Sequence, residues 1–77
     1  MIRKTQDGFD ALQWCGQRPC VSAMCRFTGF DTQAICPGGD LIIEVPGNNI
    51  SVKPGQWVVK KGEELQIVDG DKIVFAP

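Results

Sequence analysis

With 77 residues, the chain makes one domain, residues 1–77, and buries only about 60% of the surface its unfolded form exposes, so one thin core is expected and a deep private pocket is not. Eight basic against nine acidic residues leave a net charge of −1, which gives neither the basic footprint of a nucleic-acid binder nor the heavy acidity of a DNA mimic. An apolar fraction of 43% is too high for disorder, and no apolar run approaches the ~20 residues that span a bilayer.

The first eight residues are polar and read as a loose lead-in. They lack the apolar segment of a signal peptide, so the expected compartment is the cytoplasm. Phe9 to Trp14 alternate with a period of two: Phe9, Ala11 and Gln13 point one way, Asp10, Leu12 and Trp14 the other. Pro19 suits the first position of a helix, where its missing N–H costs nothing. Cys20, Val21, Met24, Cys25 and Phe27 then form one apolar stripe, with Arg18, Ser22 and Arg26 around it. Gly29 is the expected stop. A helix this short is unstable alone and must lie on a sheet.

Thr32 to Cys36 read as a short edge strand and Pro37 to Asp40 as a turn. In LIIEV, Leu41, Ile43 and Val45 share one face. Pro46 to Asn49 make a hairpin connection into Ile50 and Val52, and Pro54-Gly55 bends the chain. Trp57 and Val59 share a face of the next strand, Gly62 turns it, and Leu65 and Ile67 alternate with Gln66 and Val68. Asp69-Gly70 carries the composition of a two-residue type I′ hairpin, with Lys72 to Phe75 closing the sheet. The expected class is α+β: one short helix packed on a small antiparallel sheet, made of a C-terminal β-meander of about four strands and an N-terminal strand.

Catalytic chemistry is not expected. The chain has no histidine and no tyrosine, which removes the commonest general bases and the histidine-activated nucleophiles. Gly38-Gly39 lead into a strand, whereas a phosphate cradle needs glycines leading into a helix. Glu63 and Glu64 are adjacent at a turn, with no cleft to split their acidities. Cys15, between Trp14 and Gly16, is the one nucleophile candidate. Cys15, Cys20, Cys25 and Cys36 follow C-x4-C-x4-C-x10-C, at the limit of a zinc knuckle's spacing; Cys20 and Cys25 would face different ways on a helix and no histidine completes a mixed site, so no metal or cofactor is expected. Two disulfides are arithmetically available but disfavoured in a reducing cytosol, so the preferred reading is small thiols buried in the core. The Arg3-Lys4 and Lys60-Lys61 pairs read as solvated edges.

Two segments carry a family likeness: A-L-Q-W-C-G at 11–16 with a helix ending in F-T-G at 27–29, and G-x-x-I-S-V-K-P-G-Q-W-V-V-K-K-G at 47–62. Over residues 9 to 68 the chain resembles small phage-encoded accessory proteins, which carry an A-x-Q-W-x-G strand, a helix ending in F-x-G, and a G-D-W-(I/V)-(I/V)-x-G strand running into a G-E-aromatic segment. It departs from that pattern at Gln56, where aspartate is usual, at Glu64-Leu65, where an aromatic follows glutamate, and in its shortened tail. The resemblance implies a non-enzymatic protein in the cytoplasm of a bacterial host cell that binds and sterically inhibits a host factor, such as a CRISPR effector. A second reading is an oligomeric sponge for a nucleotide immune signal. A third is a virion structural or assembly protein. The candidate contacts are Lys60, Lys61, Glu63 and Glu64 around the turn, with Arg18 and Arg26 on the helix. Trp14 and Trp57 are the candidate stacking or anchor residues. The expected partner is a host protein, with neither nucleic acid nor membrane contacted directly. A homo-oligomer is a reasonable further expectation, because exposed sheet edges need covering.

Overall fold

The computed structural model of the chain describes residues 2–34 and 39–77. In chain order the elements are β1 (Arg3–Lys4), β2 (Asp10–Gln13), α1 (Pro19–Thr28), β3 (Thr32–Ala34), β4 (Leu41–Ile43), β5 (Ile50–Val52), β6 (Trp57–Lys61) and β7 (Glu64–Val68). The class is α+β, with one short helix and two small antiparallel sheets, ordered β1-β2-β6-β7 and β3-β4-β5.

The helix forms where its signals place it. Pro19 opens it, and the N–H of Gly29, in the left-handed conformation, closes it on the Cys25 carbonyl at 2.9 Å. Met24, Phe27 and Thr28 are its buried residues. The Thr28 hydroxyl donates to the Met24 carbonyl at 3.0 Å and accepts from the Phe30 N–H at 3.2 Å, which turns the chain into β3.

The strands divide differently from a single meander. β4 and β5 pair as a hairpin, with Leu41 opposite Val52 and Ile43 opposite Ile50. β5 does not continue into β6. The turn at Lys53 to Gln56 lifts the chain away, and β6 finds its neighbours in β2 and β7. The Trp14 N–H donates to the Gln56 carbonyl at 2.9 Å and the Gly55 N–H to the Trp14 carbonyl at 2.9 Å, so the end of β2 holds that turn.

The β6–β7 hairpin turns through Gly62-Glu63, with Lys61 opposite Glu64. Gly62 has φ 62° and Glu63 is not left-handed, the pattern of a type II′ turn with glycine first. The type I′ hairpin expected at Asp69-Gly70 is absent, because neither residue has positive φ. The Asp69 carbonyl instead accepts from the N–H groups of Lys72 and Ile73 at 3.0 and 3.2 Å, a helical turn that sends the tail across the sheet. Lys72 to Phe75 therefore add no strand beside β7. Phe75 bridges Thr5, the Gln6 N–H donates to the Val74 carbonyl and the Ala76 N–H to the Lys4 carbonyl, so the tail lies along the far edge of β1. Residues 2–8 of the lead-in thus take a defined place beside the tail, and Arg3–Lys4 form a strand.

Both faces of the larger sheet are covered. On one, Leu12, Trp14 and Val58 meet Met24 and Phe27 of the helix and Leu41, Ile43 and Val52 of the smaller sheet. On the other, Ala11, Trp57 and Val59 gather Phe9, Val68, Ile73 and Phe75. Trp14 is the tryptophan that packs on the helix, while Trp57 meets Phe75 edge-on with ring centroids 4.7 Å apart. Arg3 lies over the outer face of Phe75 at 3.7 Å.

The cysteines correct the reading of buried thiols. Cys15 is exposed and bonded to Cys20 across a Cα separation of 6.3 Å, Cys25 is a half-buried free thiol, and Cys36 lies outside the described residues. The bond ties the end of β2 to the first turn of a helix whose N-terminus has no side-chain cap. Closing so short a loop removes about 2 kcal/mol of chain entropy from the unfolded state. Cys15→Ser is expected to lower the melting temperature by roughly 8–16 °C. A calorimetric scan with and without reductant checks this: reductant should lower the wild-type midpoint and leave the variant's unchanged.

Candidate functional site

Four of the predicted site residues come together because they flank one tight turn. Lys60, Glu63 and Glu64 are exposed, and Lys61 is half-buried. Strand alternation separates them by face. Lys60 stands opposite Asp10 of β2, on the face that carries the first core, while Lys61 stands opposite Glu64 on the other. Lys61 places its ammonium 5.1 Å from the Phe9 ring centroid, so an aromatic face backs the charge. Among the described residues the ion pairs are Lys4–Asp10 at 2.8 Å and Lys72–Asp69 at 3.9 Å, neither of which involves the hairpin. Its four charges are therefore not engaged with one another.

Beside the hairpin, on the tail-covered face, lies a concavity of about 220 Å³ whose walls include Phe9, Lys61, Gln66 and Lys72. Sequence reading missed Phe9, Gln66 and Lys72. Phe9 sits on the same face as Ala11 in the period-two pattern, which was the available signal for it. Lys72 had none, since its position depends on the helical turn at Asp69.

The helical arginines lie elsewhere. Arg18 is exposed just before the helix, and Arg26 in its last turn lines a separate groove with Val21, Cys25, Asp31 and Glu44. The two tryptophans are withdrawn from any surface role. Trp14 is 0% exposed, with its indole N–H donating to the Gly39 carbonyl at 2.9 Å, and Trp57 is 8% exposed beneath Phe75. A buried indole offers no ring face to a nucleobase. Cys15, the nucleophile candidate, carries no free thiol.

Gln56, where the phage pattern has aspartate, has a visible task. Its side-chain carbonyl accepts from the Lys53 N–H at 2.8 Å and its amide donates to the Asp69 carboxylate at 2.8 Å. An aspartate could perform only the first, because an ionised carboxylate has no proton to donate.

These elements define a small α+β protein with a charged hairpin exposed beside a shallow concavity on its larger sheet. No helix of the described residues is long and apolar enough to cross a membrane, and no group of three or more ligating side chains among them is placed to hold a metal. Comparison with protein-family models, with curated proteins and with solved structures finds no match to this chain.

Proposed function

We propose that the chain is a non-enzymatic accessory protein that binds a host protein through the β6–β7 hairpin and blocks it sterically. The observation that carries this reading is the hairpin itself: a tight two-residue turn that holds Lys60, Lys61, Glu63 and Glu64 outside any ion pair among the described residues. A preformed loop loses little conformational entropy on docking, and mixed charges on it select a complementary partner. The resemblance to small phage-encoded accessory proteins supports a bacterial defence component, such as a CRISPR effector, as the target class, and the host cytoplasm as the compartment, where the exposed Cys15–Cys20 bond would face reducing conditions. The sponge reading is weaker, since both of its stacking residues are buried.

The test is a tagged chain expressed in a host with active defence systems, beside a Lys60→Glu/Glu63→Lys/Glu64→Lys variant. The expected result is a stoichiometric host protein held by the wild type, with its activity inhibited. The variant should bind it at least about tenfold more weakly, a change of about 1.4 kcal/mol, while staying folded with a modestly lower melting temperature, because Lys60→Glu faces Asp10 and Glu64→Lys faces Lys61. Equal binding and inhibition by both proteins would remove the hairpin from the interface.

A further inference from the structure

We infer that β7 is a self-association edge, on which a second copy of this chain pairs antiparallel through its own β7, about a two-fold axis at Gln66. The backbone supplies the first argument. The Trp14–Gln56 hydrogen bond fixes the even-numbered residues of β6 toward β2, so its odd-numbered residues bond to Glu64, Gln66 and Val68 of β7. The N–H and C=O groups of Leu65 and Ile67 consequently point away from β6. β7 ends its sheet, so another strand is free to meet them.

The other edges of the described sheets are treated differently. The tail covers β1 through the Gln6–Val74 and Ala76–Lys4 bonds. β3 lies against the helix, with the Thr32 hydroxyl donating to the Val21 carbonyl at 3.3 Å. β5 is three residues long. β7 is five residues long, in unbroken register with β6, and contains no proline, lysine or bulge, the usual devices that blunt an edge. Beside it lies an open concavity of about 510 Å³ bordered by Ser51, Lys53, Gln66 and Ile67.

Self-complementarity selects the occupant. With Gln66 opposite Gln66 of the second copy, Leu65 comes opposite Ile67 and exchanges both backbone bonds with it, and the two-fold axis repeats the exchange. Leu65 and Ile67 are half-buried members of the first core, so the pairing joins the two copies' cores along one face. On the other face Glu64 comes opposite Val68. Lys72 borders the same two concavities as Gln66 and Val68, which brings it to Glu64 of the opposite copy. The two Gly62-Glu63 turns end at opposite ends of the paired strands, so the dimer would display two hairpins. The inference goes beyond the proposed function and does not need its host partner.

Purified full-length chain tests it. Cross-strand positions without mutual hydrogen bonds stand about 4.5 Å apart at Cα, within reach of a disulfide. Gln66→Cys is therefore expected to give a dimer in a glutathione redox buffer, linked from position 66 to position 66 by peptide mass mapping. Ser51→Cys, on the β5 edge, should not. Gln66→Lys places like charges face to face and should weaken dimerisation in sedimentation equilibrium at least tenfold, as should Gln66→Glu. An equimolar mixture of those two variants should restore it. A wild-type chain that stays monomeric at millimolar concentration, a link formed through position 51 instead, or equal dimerisation by wild type and Gln66→Lys would each overturn the inference. An edge taken up only by a strand of a different protein would appear as the first of these.

Discussion

Trp14→Ala is expected to remove a large share of the stability of this protein. Trp14 is fully buried at the point where the end of β2, the helix and the smaller sheet converge, among Leu12, Met24, Phe27, Leu41, Ile43, Val52 and Val58. Truncating a large buried aromatic costs about 3–5 kcal/mol, because the cavity left behind closes only in part. A chain of this size holds roughly 4–12 kcal/mol in total. A urea titration followed by circular dichroism should show the midpoint collapse. Trp14→Phe separates packing from hydrogen bonding: it retains a ring and loses the donor to the Gly39 carbonyl, and its midpoint should fall between the other two. A wild-type midpoint for Trp14→Ala would contradict the placement of this side chain at the centre of the first core.

Removal of the last five residues, Ile73 to Pro77, is the second large effect. These residues form the lid of the second core. Phe75 stacks edge-on against Trp57, Arg3 covers Phe75 from outside, and Ile73 packs against the same cluster. Losing two large, half-buried apolar side chains, each worth about 1.5–3 kcal/mol when fully buried, should cost up to about 3–6 kcal/mol. The truncation also strips the edge of β1 of its bonds to Val74 and Ala76. Tryptophan emission is a direct readout. Trp14 lies in the first core, away from the tail, so a red shift in the truncated protein reports exposure of Trp57. If neither emission nor stability moved, the tail would not be the cover of this face. Phe75→Ala alone should reproduce the red shift at about half the loss of stability.

The hairpins and the helix were readable because each is written in a few neighbouring residues. Pro19 and Gly29 bracket the helix, Pro46 to Asn49 join β4 to β5, and Gly62 places the turn between β6 and β7. Alternation in Ala11 to Trp14 sorted that strand's faces correctly, and Lys60, Lys61, Glu63 and Glu64 were legible as a group because they surround one turn. Trp57-Val58-Val59 was ambiguous for a physical reason. A strand covered on both faces is apolar on both, so its pattern cannot say which side meets the helix. Asp69-Gly70 misled because its composition also suits a helical turn, and the choice was made by what lies beyond it.

What the sequence determined by itself is local: where the helix begins and stops, which short segments extend, and which turns reverse the chain. These follow from backbone torsions and side-chain periodicity, which act over a few residues. The tertiary structure decided which strands became neighbours. β6 lies between β2 and β7 rather than beside β5, the tail returns to β1 from the opposite end of the chain, and Cys15 reaches Cys20. Those choices rest on burying apolar area on both faces of one sheet and on pairing backbone groups far apart in sequence. Both are properties of the assembled core that no short segment carries alone.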